Sequence, residues 1–341
     1  MTSAVRSIPS LPALVLLASL AGGTAQAQDA FERGRTLTHW LLAGDVDSLV
    51  ATMSRPFLDA VGGSDGLAGL ARRLDEQAGA EAEVLEEAAF REGGHTSYYR
   101  VSRFERLPSA TARWVWDSTG AVVGATVTPT PQPAPSDYTD YETRAPLRLP
   151  FGTPERGAWY VAWGGRDAVH NYHVGAPDQR FASDFVVVRG DNRVHEGDGT
   201  RNEDHFCWGE PVYAPAAGRV VTAVDTVADN ARVGQKNAAA PPGNYVVVDH
   251  GNGEHSLLAH FRRGSVAVAV GDEVEAGALL GACGNSGNSS LPHVHYHLQT
   301  GPAYKEGVGL PAPFHGYYVG GAYVERGEPV RGQILIPGDL P

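Results

Sequence analysis

The spacing of apolar residues in the first third of the chain predicts a small α+β domain. Apolar residues recur at helical intervals over residues 30–49, with a break at Asp45, and again over residues 67–78. Three strand-like runs come next, at residues 97–104, 110–117 and 122–127. We therefore expect short helices followed by an antiparallel sheet over residues 28–127.

From about Trp159 onward the pattern changes to short strands. Strand-like segments occur at residues 185–188, 220–224, 245–249, 256–260, 278–281 and 294–299. The 42 glycines and 23 prolines of the chain supply the turns that such closely spaced strands require. We expect a compact all-β sandwich or barrel over residues 159–341. A proline-rich segment and its continuation, residues 128–158, form the expected linker between the two domains.

The N-terminus has the features of an export signal. Arg6 provides a positive start, residues 11–20 are apolar, and Ala25-Gln26-Ala27 matches a small-residue cleavage site. The apolar run is too short to span a bilayer. We expect residues 1–27 to be a signal peptide cleaved near Ala27. The mature protein is then exported, either periplasmic or secreted, and has no membrane span.

Charge narrows the choice of partners. The formal net charge is −12, and removal of residues 1–27 makes it −13 because one arginine and no acid are lost. An acidic protein is a poor partner for nucleic acid, which attracts basic surfaces.

The two cysteines, Cys207 and Cys283, would meet an oxidising compartment after export. They either form a disulfide bond or remain two buried thiols.

Three histidines near the C-terminal end indicate a metal site. His293, His295 and His297 alternate with apolar residues, so a strand would place all three on one face. Neutral imidazole is a common zinc ligand and also a good acid–base group. The pattern therefore favours a metal ion with a neighbouring proton carrier.

Several motifs preceding this run share its chemistry. They are Asn171-Tyr172-His173, then Asp184, then Gly-Asn-x-Val-x-x-x-His-Gly over residues 243–251, Ala259-His260, and Gly-Asn-Ser-Gly-x-Ser over residues 284–289. In this order, residues 171–300 resemble the lysostaphin-type zinc endopeptidases, which cleave peptide bonds in bacterial peptidoglycan. The resemblance implies a barrel-sandwich-like fold for the C-terminal domain and peptidoglycan peptides, or another peptide, as substrate.

The resemblance also implies a role for each matching residue. His173, Asp184 and His295 would bind one zinc ion per chain, while His260 and His293 would be catalytic histidines that do not bind the metal. Three protein ligands leave a position for water, whose pKa zinc lowers to roughly 7. The two free imidazoles would move protons and stabilise the oxyanion.

One motif departs from the family pattern. His173 and Asp184 are eleven positions apart, whereas the family pattern is His-x-x-x-Asp, in which the two residues are four positions apart. The position where this usual spacing would put the histidine is Arg180. A longer loop can still join His173 to Asp184, and His170 is the competing ligand.

Three further residues have two interpretations each. His297 either forms a hydrogen bond with a metal ligand or with substrate, or is an exposed strand residue. Asn285 and Ser289 either contact substrate or form a glycine turn that positions the next strand.

Other interpretations of the chain are weaker or remain open. The N-terminal domain resembles nuclear-transport-factor-2-like folds, and its role is open. Residues 270–281 resemble the turn of biotinyl carrier domains, but Lys236, the one lysine between residues 206 and 300, lies in an unsuitable loop. An inactive relative that binds peptidoglycan or activates another hydrolase is the alternative function. The scissile bond and the oligomeric state are open.

Overall fold

The computed structural model describes residues 23–338, with side chains from residue 28 onward. The predicted export segment, residues 1–27, therefore lies outside the residues that are described in full. None of the helices within the described range combines the length and apolar character that a membrane span needs.

The N-terminal region contains all four α-helices of the described chain. They are α1 (Gly23–Ala43), α2 (Val46–Val50), α3 (Arg55–Ala60) and α4 (Gly63–Ala78). Asp45 separates the first two, and its carboxylate accepts a hydrogen bond from the Ser48 backbone N–H at 3.2 Å, which caps α2. The break that the sequence predicts is therefore a helix cap.

Seventeen strands make the described chain mostly β-sheet. Those of the N-terminal region are β1 (Glu81–Glu92), β2 (His95–Phe104), β3 (Ala110–Trp116) and β4 (Val122–Pro129). The others are β5 (Ala158–Trp163), β6 (Ser183–Val188), β7 (Pro211–Tyr213), β8 (Gly218–Val224), β9 (Asn244–Asp249), β10 (His255–Phe261), β11 (Glu273–Val274), β12 (Leu279–Ala282), β13 (Val294–Gln299), β14 (Gly309–Leu310), β15 (Phe314–Val319), β16 (Ala322–Gly327) and β17 (Ile334–Pro337). Two short 3₁₀-helices, Tyr172–Gly175 and Asn202–Asp204, interrupt the loops.

Strand β1 is absent from the sequence prediction. Its residues are mostly glutamate, alanine and other good helix formers. It is nevertheless paired along its whole length with β2, and its burial rises toward Phe90. Pairing with the apolar hairpin partner overrides the local preference for helix.

The large sheet of the C-terminal region is open. Its strand order is β11-β8-β9-β10-β13-β6-β5-β17-β15-β16, with β14 beside β13, and a separate pair is formed by β12 and β7. Within residues 23–338 the two end strands, β11 and β16, do not pair, so the sheet does not close into a barrel. The expected all-β character is present, and the barrel-sandwich form is not confirmed.

The two regions share a packed seam. Phe90, Tyr99 and Val169 belong to one buried cluster that combines N-terminal and C-terminal side chains. The Arg331 guanidinium lies 4.1 Å from the Phe90 ring centroid and pairs with Glu92 at 3.1 Å. The outer face of the N-terminal sheet is therefore attached to the C-terminal region by both apolar and ionic contacts.

A disulfide bond joins Cys207 to Cys283, with their Cα atoms 6.0 Å apart and 76 positions between them in sequence. Next to Cys283, Gly284 forms a bridge with His293. The bond therefore ties down the segment that leads into β13.

We expect replacement of both cysteines by alanine to lower the free energy of unfolding by roughly 2–5 kcal/mol, because the bond restricts a long loop in the unfolded chain. Urea denaturation followed by circular dichroism measures this change. Reduced wild-type protein should unfold at the same urea concentration as the double variant. Equal stability of the oxidised wild type and the double variant would contradict the expectation.

Candidate metal centre

Strand pairing brings the centre together. In the pairing of β13 with β6, His295 is directly opposite Asp184, and on its other side β13 pairs Ala259 with the same His295. Side chains that are opposite each other on neighbouring strands lie on the same face. His295 Nδ1 is accordingly 2.8 Å from Asp184 Oδ1.

His173 reaches the same place from a loop. The 3₁₀-helix that contains it is followed by turns that return the chain to β6. His173 Nε2 lies 3.7 Å from Asp184 Oδ2. Candidate ligand atoms of His173, Asp184 and His295 all lie within 4.8 Å of one another, and all three residues are buried. The eleven-residue spacing is thus compatible with a compact cluster.

The side chain of Asn171 orients His173. Its amide nitrogen donates to the carbonyls of Gly165 and Ala182, both at 2.9 Å, so its oxygen is the atom that faces His173. That oxygen accepts hydrogen bonds from the His173 backbone N–H and from Nδ1, at 3.0 and 2.9 Å. Nδ1 of His173 must therefore carry the proton, which leaves a lone pair on Nε2 toward Asp184.

A second chain of hydrogen bonds orients His295 in the opposite sense. The Gln299 amide nitrogen donates to the carbonyls of Gly301 and Ala303, so its oxygen faces His297 Nε2 at 3.1 Å. His297 must donate from Nε2, and as a neutral ring it then accepts at Nδ1. The donor to this atom is His295 Nε2, at 2.9 Å.

The consequence of this chain is a lone pair on Nδ1 of neutral His295, directed at the Asp184 carboxylate. Two acceptor atoms 2.8 Å apart in a buried place repel each other unless a cation or a proton lies between them. With the free Nε2 of His173, the cluster presents one carboxylate and two bare imidazole nitrogens. Nitrogen and oxygen donors of this kind suit a divalent transition metal such as zinc.

Two further histidines border the cluster without joining it. His260 Nδ1 donates to the Ser286 carbonyl at 2.8 Å, and His293 Nδ1 donates to the Leu291 carbonyl at 2.9 Å. Each ring therefore keeps an unprotonated Nε2, and that of His293 is 3.7 Å from Asp184 Oδ1. The two ring centroids are 4.7 Å apart.

The backbone of His260 is strained. Its φ is +66°, and it sits at an irregularity in the pairing of β10 with β9. A non-glycine residue in this region costs free energy and persists where the surrounding structure imposes it. Here the irregularity directs the His260 ring toward His293 and His295.

Burial and charge set the protonation states. Burial lowers the pKa of His173 to about 3, against the opposing effect of Asp184, and it holds the pKa values of His260 and His297 well below their usual range. Burial alone would raise the pKa of Asp184, but the histidines around it, His173 foremost, hold that pKa far below its usual range. At neutral pH the rings of His173, His260 and His297 are therefore neutral, and the Asp184 carboxylate is charged.

The remaining candidates lie in different surroundings. His170 Nδ1 is 2.8 Å from Asp167 and 3.5 Å from Glu86, outside the buried cluster. Ser289 Oγ is 3.1 Å from His293 Nδ1. Asn285 is buried elsewhere, and its amide nitrogen donates to Asn202 at 2.8 Å.

Two residues at the centre have no role in the sequence analysis. The sequence gives a hint of each role. An asparagine two positions before a histidine can accept a hydrogen bond from the histidine backbone N–H, as Asn171 does. Gln299 continues the series of alternate strand positions that contains His295 and His297. Amide side chains are common in such positions for structural reasons, which is why the signal is weak.

Comparisons with known proteins find one matching family model and several similar proteins. The model of peptidase family M23 matches residues 204–306, a range that begins after His173 and Asp184. The peptidoglycan DD-endopeptidase ShyA of Vibrio cholerae is 39% identical over 56 residues, which are 16% of this chain and 13% of that protein. The DD-carboxypeptidase/endopeptidase Mpg of Neisseria gonorrhoeae is 36% identical over 73 residues, 21% of this chain and 16% of that protein. The chain thus matches less than a fifth of the length of these relatives.

Solved structures of similar proteins include the catalytic domain of the M23 protein EnpA from Enterococcus faecalis, with 20% identity, a TM-score of 0.29, and coverage of 47% of this chain and 93% of that one. The catalytic domain of lysostaphin from Staphylococcus simulans has 21% identity, a TM-score of 0.25, and coverage of 41% and 78%. On the family match, this chain carries a peptidase family M23 domain over residues 204–306.

Proposed function

We propose that this chain is an exported, zinc-dependent endopeptidase that hydrolyses peptide bonds in the cross-links or stem peptides of peptidoglycan. The family match and the names of the two relatives support a peptidase that acts on peptidoglycan. The observation that carries the zinc assignment is the bare Nδ1 of His295 facing the Asp184 carboxylate.

His173, Asp184 and His295 would hold the zinc ion. Their donor atoms converge, all three residues are buried, and the ring protons of the two histidines are directed away from the centre by Asn171 and His297. When bound at three protein ligands, zinc lowers the pKa of a water molecule to about 7 and polarises a substrate carbonyl.

His293 and His260 would carry protons. Each ring donates its Nδ1–H to a backbone carbonyl, so Nε2 is the atom that can accept a proton from the attacking water. The same atom, once protonated, can donate to the leaving amine. Burial holds the pKa of His260 well below its usual range, so this ring is ready to accept a proton rather than already protonated.

Ser289 supports this orientation. Its hydroxyl donates to the Leu291 carbonyl at 2.8 Å, the same oxygen that receives His293 Nδ1–H. We therefore assign Ser289 to the positioning of His293. His297 and Gln299 are assigned to the positioning of His295.

We expect purified wild-type protein to bind one zinc ion per chain and His295→Ala to bind none, since the variant removes the nitrogen opposite Asp184. Metal analysis after dialysis, together with release of peptides from purified peptidoglycan, measures both properties. His39→Ala, an exposed histidine on α1, is the matched control and should retain metal and activity. A wild-type protein that is metal-free and inactive after zinc is supplied would refute the proposal and favour a protonated His295 paired with Asp184 in an inactive relative.

Removal of a catalytic histidine that does not bind the metal should lower activity without lowering the zinc content. We expect His293→Ala to retain one zinc ion but to lose about 100- to 10,000-fold in kcat, the usual contribution of a general acid–base group. Steady-state hydrolysis of a synthetic cross-linked peptide gives kcat, and metal analysis gives occupancy. Full activity in the metal-loaded variant would remove His293 from the mechanism.

The hydrogen-bond chain on β13 should matter for affinity. We expect Gln299→Met to weaken zinc binding about 10- to 100-fold, because His297 loses the acceptor that fixes its tautomer and that of His295. Competition with a fluorescent zinc chelator measures the affinity. Gln235→Met, at an exposed loop position, should show wild-type affinity. An unchanged zinc affinity in Gln299→Met would show that the tautomer of His295 does not depend on this chain.

A further inference from the structure

A cleft of about 530 Å³ lies between the N-terminal sheet and the candidate metal centre. Its C-terminal side includes Asp184 and His293, and its N-terminal side includes Glu92 and Arg113. A peptide that reaches the centre through this cleft must therefore pass along the N-terminal region. The N-terminal region thus borders one approach to the candidate centre.

Two positive charges in the cleft have no paired carboxylate among the described residues. Glu92 accepts hydrogen bonds from Arg331 at 3.1 Å and from the Tyr160 hydroxyl at 3.2 Å, so its charge is compensated. Asp184 belongs to the metal cluster. Arg113 and Lys236 remain, and within residues 28–338 neither has a carboxylate in ion-pair distance.

Arg113 is held in place without being neutralised. Its guanidinium lies 5.4 Å from the Tyr99 ring centroid and donates to Ser97 Oγ at 3.3 Å. Its Nε is buried and has no hydrogen-bond partner among the described atoms. Stacking and one neutral acceptor orient the side chain at little cost and leave its charge available to a ligand.

Lys236 faces the cleft from the loop between β8 and β9. It is one of only two lysines in the whole sequence, the other being Lys305. Two unpaired cations in one cleft stand out in a protein with a net charge of −12. Such a local excess attracts anions against the overall field of the molecule.

We propose that Arg113 and Lys236 form a subsite for a carboxylate of the substrate peptide. The inference rests on the proposed peptidase function and specifies its substrate class: peptides that carry a free carboxylate close to the scissile bond. An arginine and a lysine together offer planar and point-like donors for such a group. The N-terminal region would then select substrates through Arg113.

Binding of small peptides tests this proposal independently of cleavage. The probes are Nα,Nε-diacetyl-L-lysyl-D-alanyl-D-alanine with a free C-terminal carboxylate and the same peptide as its C-terminal amide. Isothermal titration with the full chain, both zinc-loaded and zinc-free, gives the dissociation constants. The zinc-free protein is needed because a free carboxylate can also bind zinc directly.

We expect the carboxylate peptide to bind at least about tenfold more tightly than the amide in both forms, as for a hydrogen bond between charged groups. Arg113→Gln and Lys236→Gln should each remove a large part of this preference, while Arg113→Lys, which keeps the charge, should retain most of it. Lys305→Gln is the matched control and should behave as wild type.

Equal affinity for the two peptides in the zinc-free protein would overturn the proposal, since the preference would then come from the metal. Unchanged affinities in both glutamine variants would overturn it as well. Absence of hydrolysis bears on the proposed function alone, because the binding preference is measured without turnover.

Discussion

The contact between Asp184 and His295 is the interaction on which the rest of the centre depends. Pairing of β13 with β6 places a carboxylate and an imidazole nitrogen 2.8 Å apart in a buried position. Burial of an unpaired charge is costly, so this arrangement requires a cation or a proton between the two groups. The flanking hydrogen bonds orient the neighbouring rings so that their lone pairs, rather than their protons, face this point.

The surrounding structure holds these orientations by backbone carbonyls and amide side chains. The side-chain N–H groups of Asn171 and Gln299 donate to backbone carbonyl oxygens, so each side-chain oxygen is left to accept from the adjacent imidazole. Backbone carbonyls do the same for His260 and His293. Three further features lie near the centre. They are the disulfide bond, the strained backbone of His260 and the seam with the N-terminal sheet. On the side of the large sheet the centre is held by these hydrogen bonds, and Asp184 and His293 line the cleft on its other side.

The sequence pattern predicts much of the secondary structure correctly. The apolar run at residues 294–299 coincides with β13, and the helix predicted over residues 67–78 lies within α4. Strand β1 was not readable, because its glutamates and alanines favour helix and only pairing with β2 makes it a strand. The choice between His170 and His173 was equally out of reach, since it depends on a 3₁₀-turn that directs one ring inward and leaves the other beside Asp167.

The sequence by itself determined which chemical groups are available and which face of a strand they share. Alternation along a strand puts His293, His295 and His297 on one face, and the order of motifs indicates the family. Only the tertiary structure decided which partners each group has, because proton positions and pairing depend on residues far away in the chain. Asp184 comes 111 positions before His295, and the hydrogen bonds that differentiate the three histidines come from different neighbours. The sequence likewise gives no sign that Arg113 and Lys236 act together, because they are more than a hundred positions apart. Only the folded chain places both residues in the lining of one cleft.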